Sequence, residues 1–424
     1  VVSTTEAGCA EDQALQALET LHQARAVRER ATEILAAAER GGLSHFTVHP
    51  QQLPVVAEQV AALCRERFPD LDIPLHSRWR HFQSGGVDRW KQLQSSFQDT
   101  DSRARAAFDL VITSVLLDAG AGMAWRYADS DSDLLLSRSE GLGVASFTLF
   151  TSGGLSSDPG SPLQADAEGL MAVDAATIEQ TFQVRTNNPL IGVPGRVSLL
   201  NNLGRILRSM PELFPTDHPR PGDLYDVLKA QASAATAGAE LSLPAAAVLN
   251  TVLRAFSGIW PGRLSLAGRN LGDVWRHPAI VRIDPSNGLM PFHKLSQWLS
   301  YSLVEPLQEA GIEIIRLDEL TGLAEYRNGG LFIDYGVLGL RDDGALSREH
   351  PADSELVVEW RALTVALLDR LAPLVRENLG VTSKQLPLAK ILEGGTWLAG
   401  RNIARQRRED GGPPLRIISD GTVF

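Results

Sequence analysis

Asp118 is the carboxylate with the clearest reason to do chemistry. It follows a helical run from Asp101 to Leu117 that is apolar at Phe108, Val111, Ile112, Val115 and Leu116. At ~100° per residue it lies about 20° from Val111 around the helix, so it points toward the buried face. It also sits at the helix C-terminus, where a carboxylate meets the negative end of the dipole. Gly120-Ala121-Gly122 then lets a backbone or a ligand come close. An acid placed where it costs energy is a candidate catalytic group. The structural alternative is a pair with Arg126 or a cap on a neighbouring helix. Glu355 and Glu359 form a second set. They stand one turn apart at the edge of the stripe Leu356, Trp360, Leu363, Leu367 and Leu371, where they can serve a cleft or equally be solvated or salt-bridged.

Basic aromatic segments supply the binding chemistry. His76-Ser77-Arg78-Trp79-Arg80-His81-Phe82, Trp125-Arg126-Tyr127 and Asp273-Val274-Trp275-Arg276-His277 each join cations to flat rings. Arg and His donate charge-assisted hydrogen bonds to phosphate or carboxylate. Trp and Tyr offer faces for a base, a sugar or a urea group. The alternative is cation–π packing, which is common anyway. His293 and Lys294 open a helix that carries Trp298, and helix N-termini favour anions. Glu325-Tyr326-Arg327 precedes Asn328-Gly329-Gly330, read as a turn that exposes those side chains. The nine histidines give no ligand spacing stronger than His45/His49 or His76/His81, so no metal is assigned.

Helices position most of these groups. Periodicity predicts helices over 21–40, 53–68 (Pro54 in its first turn), 101–117, 224–235, 244–256, 293–310 and 354–378. Pro306 and Pro373 are expected to kink the last two. Ile312–Leu317 and Leu331–Val337 are β-branched or aromatic and read as short strands. Gly411–Phe424 reads as loop, strand and a tight Asp420-Gly421 turn. Residues 1–20 read as a flexible polar start. The rest, 21–424, reads as one large, mostly helical domain, with a lobe boundary placed at the Gly/Ser/Pro-rich loop 151–160. The expected fold class is mainly α with a small β element.

The chain has 424 residues and a formal net charge of −11, with 40 Lys and Arg against 51 Asp and Glu. That balance excludes a general nucleic-acid or anionic-membrane binder. No uncharged apolar stretch approaches the ~18–20 residues that span a bilayer. Val1–Thr20 has no basic-then-apolar signal pattern. Two cysteines build neither a disulfide scaffold nor a Cys-x-x-Cys zinc site, so a reducing cytoplasm is the expected home. There is no phosphate loop, no dinucleotide fingerprint, no Gly-x-Ser-x-Gly elbow and no His-Glu-x-x-His. Trp outnumbers Tyr eight to five, and five tryptophans (Trp79, Trp90, Trp125, Trp275, Trp360) adjoin an arginine. These read as the lining of one small anion-and-sugar pocket.

Taken together, the runs His76–Trp90, Ser114–Tyr127, Gly272–Pro278, Pro291–Ala310, Leu323–Val337, Asp353–Ala372 and Ser419–Phe424 resemble the uncharacterised-domain family of the fungal uracil-catabolism pathway. The resemblance covers nearly the whole chain from about Val27. In that pathway uracil is opened after attachment to ribose, and the family member is thought to release urea from the resulting ribosylurea. Leu117-Asp118-Ala119 followed by Trp125, Glu325-Tyr326-Arg327 followed by Gly336-Val337-Leu338, and Glu359-x-Arg361-Ala362 are also similar to queuosine-salvage nucleotide hydrolases. Those have a helical fold akin to helix-hairpin-helix DNA glycosylases and cleave a ribose–base bond. Gly120-Ala121-Gly122 replaces a bulkier polar-aromatic run there, which fits a smaller leaving group such as urea.

These resemblances imply an N-ribosidase acting on ribosylurea or its 5′-phosphate. Asp118 and Glu325 would share cation stabilisation and water activation, with Glu355 and Glu359 in reserve. Arg78, Arg80, His81, His293 and Lys294 would hold a phosphate. Trp79, Trp125, Trp298 and Tyr326 would wall the pocket, with Arg126, Arg327 and Arg361 beside them. The substrate is then a small ribosyl or ribosyl-phosphate molecule, with no nucleic acid, membrane or cofactor required. Two alternatives differ in kind. One is a divalent-metal hydrolase of a ureido or amide bond using His76, His81, His277 or His293 with a carboxylate. The other is a nucleotide-binding protein without turnover. No motif specifies an oligomeric state.

Overall fold

The computed structural model describes residues 4–118, 120–234, 241–260 and 263–418. The fold is mainly α, with short two- and three-stranded β elements. The chain divides into two compact units. The first draws on Val1–His76, Gly262–Gln297 and Arg316–Ser419, and the second on Ser77–Pro261, Trp298–Ile315 and Asp420–Phe424. The loop at 151–160 lies within the second unit, and residues 4–21 form a helix, Thr4–Leu21.

The first unit is built on the helix Glu355–Leu379. Ser354 caps it through the Val357 N–H, and Gly380 ends it in the left-handed conformation that glycine adopts at least cost. It is buried on most sides, from Leu356 through Leu379, and packs against Ala24–Glu39 and Leu53–Arg67. Pro373 lies inside it and does not divide it. Phe46–Val48 pairs antiparallel with Leu338–Leu340, and Val274–Arg276 pairs antiparallel with Leu289–Pro291. Glu349–Pro351 runs parallel to Arg416–Ile418. The Asp420-Gly421 turn, and with it the run Ser419–Phe424, lies outside the described residues.

One element differs from its expected type. Residues 331–337, read as a strand, belong largely to a helix, Tyr326–Asp334, and the strand follows at Leu338–Leu340. The cause is local. Glu325 accepts hydrogen bonds from the N–H groups of Arg327 and Asn328, which is an N-cap and starts a helix. Asn328-Gly329-Gly330 therefore lie within the first turn and a half of that helix. Its glycines permit close packing: a Cβ on Gly329 would come within 2.7 Å of the Trp360 ring.

The same helix meets Trp397–Arg407 at Gly400, where an added Cβ would lie 2.2 Å from the Arg327 carbonyl oxygen. Ala at a free helical position stabilises by about 0.4–1 kcal/mol through the unfolded chain. Here overpacking against backbone dominates, so Gly400→Ala is expected to lower stability by about 1–3 kcal/mol in urea unfolding. A neutral or stabilised variant would show that the two helices separate freely.

The second unit centres on Thr100–Leu116, capped by Asp99 through the Ser102 N–H and buried from Ala104 to Leu116. Arg138–Thr151, Val193–Ser209 and Asp223–Gln231 pack around it. Ile312–Ile315 runs parallel to Leu241–Pro244, and Tyr127–Asp129 forms a hairpin with Leu134–Leu136. The helix Lys294–Glu309 runs through Pro306 without a break. Among the described residues no helix is long and apolar enough to cross a membrane.

Candidate functional site

In the second unit, Asp118 leaves the end of the helix Thr100–Leu116 and meets Arg78. Arg78 Nη1 donates to Asp118 Oδ1 at 2.7 Å, and Ser139 Oγ donates to Oδ2 at 3.1 Å. The Arg78 side chain is fully buried, while Asp118 keeps 11% of its side chain exposed. Arg78 Nε donates to Ser114 Oγ at 2.7 Å, and Ser114 in turn contacts Ser146. Arg78 Nη1 also faces His81 Nδ1 at 3.3 Å, which makes Nδ1 an acceptor and leaves the ring hydrogen on Nε2. Burial lowers the Arg78 guanidinium pKa, and Asp118 acts against that. Arg196, also buried, donates to the Leu117 carbonyl. Burial brings Arg196 down to about 10, with Asp118 raising it and Arg78 lowering it. The Arg78 and Arg196 cations are balanced here by the Asp118 and Glu140 carboxylates, both of which act on Arg78.

Two donors of this cluster have no partner. Arg78 Nη2 and the Trp298 indole Nε1 are both buried without a hydrogen bond among the described residues. They belong together: the Arg78 guanidinium lies 5.7 Å from the centre of the Trp298 ring, and His81 meets that ring edge-on at 5.8 Å. An unmade buried hydrogen bond costs about 1–3 kcal/mol. Both lie in the same cluster as the Asp118 carboxylate, and each still has a hydrogen to give to an acceptor.

The other expected residues of this unit have structural partners. Trp79 donates to the Ser302 carbonyl and packs on Phe82 and Trp90. Arg80 pairs with Glu305. Trp125 is fully buried, donates to the Phe182 carbonyl and packs on Tyr127 and Phe182. Arg126 is exposed and donates to the Met123 and Trp125 carbonyls, so Asp118 pairs with Arg78 and not with Arg126.

In the first unit the centre is an ion pair that the residue pattern did not single out. Arg361 grips Asp273 with two parallel bonds of 2.7 and 2.8 Å. Asp273 also accepts from Trp275 Nε1 at 2.6 Å and from the Lys294 backbone N–H at 3.0 Å. Burial pushes the Asp273 carboxyl up, but the Arg361 charge and these donors outweigh it and hold the group well below the usual carboxylate range. Arg361 reaches the Ala324 carbonyl as well and stacks 4.1 Å above Phe292. His293 is buried and stands in the left-handed region at φ 49°, with Nε2 2.9 Å from the Leu21 carbonyl. Burial lowers its pKa, which suits a neutral ring rather than a phosphate anchor.

Glu325 is buried, and each of its oxygens accepts one backbone N–H, from Arg327 at 2.7 Å and Asn328 at 2.6 Å. Burial raises its pKa against those bonds and the Lys294 charge. Tyr326 stacks under Arg327, and Arg327 donates to the Gly411 carbonyl. Glu359 is fully buried and accepts from the N–H groups of Ser44 and His45, both at 3.1 Å. Glu355 stands a turn before it, half-buried. His76 pairs with Glu393 at 2.9 Å. Asp118 and Glu325 thus fall in different units, as do Arg78 and His293.

A family model described as "Protein of unknown function (DUF1688)" matches residues 20–424. The chain belongs to this family. Two curated relatives are similar to this DUF1688 chain. Protein urg3 of Schizosaccharomyces pombe is 39% identical over 413 residues, covering 94% of this chain and 96% of its own length. Uracil catabolism protein 4 of Lachancea kluyveri is 37% identical over 431 residues, covering 94% of this chain and 97% of its own. The residues that sequence reasoning missed in this DUF1688 chain are Asp273, Ser114, Ser139 and Arg196. Asp273 stood inside a basic aromatic segment, and its burial beside Trp275 was the available signal. The serines and Arg196 carry no local mark.

Proposed function

We propose that the chain acts in uracil catabolism as an N-ribosidase that splits ribosylurea, or its 5′-phosphate, into urea and ribose or ribose phosphate. The observation that carries this reading is the Arg78–Asp118 pair with two buried donors, Arg78 Nη2 and Trp298 Nε1, left for a ligand. The name of the Lachancea relative supports the pathway.

The reaction breaks the bond between ribose C1 and the urea nitrogen. Water supplies the new C1–O bond, and its proton passes to the departing nitrogen. Positive charge builds on C1 and the ring oxygen as the bond stretches. Asp118, oriented by hydrogen bonds from Arg78 and Ser139, stabilises that charge and accepts from ribose hydroxyls. Trp298 Nε1 and Arg78 Nη2 donate to oxygen atoms of the substrate.

The test is direct. Purified protein is mixed with ribosylurea, with and without the 5′-phosphate, and free urea is assayed. Urea from one of them is expected without any added cofactor. A folded sample that releases none from either overturns the reading.

A further inference from the structure

Three groups that bind cations converge in the first unit. One ligating atom from each of His45, Glu355 and Glu359 lies within 4.8 Å of the other two. The chain brings them together simply. Glu355 and Glu359 are i and i+4 on one helix face. His45 arrives on the segment before strand Phe46–Val48, which Glu359 holds by accepting its backbone N–H groups.

The partners of these groups are informative. Neither the His45 ring nor the Glu355 carboxylate hydrogen-bonds or ion-pairs with any described residue. Glu359 is fully buried, and among the described residues no Lys or Arg pairs with it. Its nearest cationic candidate is His277, whose Nε2 stands 3.6 Å from Glu359 Oε1. His277 Nδ1 accepts the Ala279 N–H at 3.2 Å, so the ring hydrogen stands on Nε2, the atom that faces Glu359. The His277 side chain is 1% exposed, and Nε2 has no hydrogen-bond partner. A buried, unpartnered N–H directed at a carboxylate is how ligating carboxylates are oriented from behind a metal.

We propose that His45, Glu355 and Glu359 bind one first-row divalent cation of the Mn²⁺, Fe²⁺ or Zn²⁺ type, with His277 positioning Glu359. One imidazole and two carboxylates are a hard-to-borderline donor set suited to those ions. Metal–ligand bonds of ~2.0–2.2 Å put three evenly spread ligands at most about 3.8 Å apart. The site therefore closes with a movement of up to about 1 Å, which the half-buried Glu355 side chain can supply by a rotamer adjustment. Three protein ligands leave coordination positions open, the arrangement of sites that act on a ligand rather than only brace a fold. They open on a cavity of about 250 Å³ that His45 and Glu355 line together with Asp342, Arg348 and His350. Its occupant is a small hydroxylated or anionic molecule that reaches the metal; Arg348 is already paired with Asp342, and His350 Nε2 is held by the Ala345 carbonyl, so the metal is its main anchor. This site needs neither Asp118 nor N-ribosidase activity, and its test reads binding.

The full chain, stripped with a chelator, is titrated with Mn²⁺ and followed by loss of the free-ion EPR signal, and with Zn²⁺ by calorimetry. One equivalent is expected to bind, with a rise in melting temperature. Glu355→Gln and His45→Ala are each expected to weaken binding at least ~10-fold and to cancel that rise. Because neither side chain has a partner among the described residues, both variants are expected to melt like the wild type when stripped. No binding by the wild type overturns the site. So does unchanged affinity in both variants.

Discussion

Asp118→Asn is expected to lower urea release at least ~10²-fold, the lower end for a group that carries charge in the transition state. The substitution keeps the shape and can still accept from Arg78 Nη1 and Ser139 Oγ. Only the negative charge goes, together with its attraction for a ribosyl cation. That charge also neutralises Arg78, whose side chain is fully buried. Removing one member of a buried pair costs about 3–5 kcal/mol, so the variant is expected to melt earlier as well. The two effects separate by experiment. Urea release is measured at a temperature where the variant keeps the wild-type circular dichroism spectrum. A second variant, Asp118→Asn with Arg78→Gln, removes the buried cation too, recovers part of the stability and stays inactive. Near-wild-type turnover in a folded Asp118→Asn sample would remove Asp118 from the chemistry, whatever happens to its stability.

What could be read in advance follows from whether the cause is local. The buried direction of Asp118 came from the period of Phe108, Val111, Ile112 and Val115, because seven residues bring a helix back to nearly the same face. Its partner did not. Arg78 stands forty positions earlier, and a long-range ion pair has no signature in either segment. The Arg-flanked tryptophans show the same limit. Trp125 and Trp360 were marked by composition, yet both are core residues, and neighbours in sequence point to different surroundings. The strand expected at 331–337 failed for a local reason given too little weight. Its β-branched and aromatic residues argued for a strand, but the cap at Glu325 and the Trp360 surface against Gly329 decided for a helix. Glu355 and Glu359 were legible as one helix face, whereas the arrival of His45 beside them depends on how Phe46–Val48 pairs with Leu338–Leu340.

The largest stability effect is expected from Arg361. Its guanidinium is 1% exposed, forms two parallel bonds to Asp273, stacks on Phe292 and ties down the Ala324 carbonyl just before Glu325. Arg361→Met keeps much of the volume and leaves the Asp273 carboxylate uncompensated, a loss of about 3–5 kcal/mol. Arg361→Lys rescues little, because an ammonium cannot make the paired bonds of the planar fork. The double variant Arg361→Met with Asp273→Asn is expected to regain much of the loss, since a buried pair is replaced by neutral groups more cheaply than it is broken. Acidity supplies an independent check. Asp273 titrates well below its unfolded value of ~3.9 because the charge of Arg361 outweighs burial. Between those two values the unfolded chain binds the extra proton, so this contribution is complete above pH ~4 and is lost as pH falls toward the folded value. Urea unfolding at pH 7, 4.5 and 3.5 should therefore show the gap between wild type and the double variant narrowing only in the most acidic sample. An Arg361→Met chain within about 0.5 kcal/mol of wild type at pH 7 would mean that water already compensates Asp273, and the pair would then be a surface interaction rather than the tie between strand Val274–Arg276 and helix Glu355–Leu379.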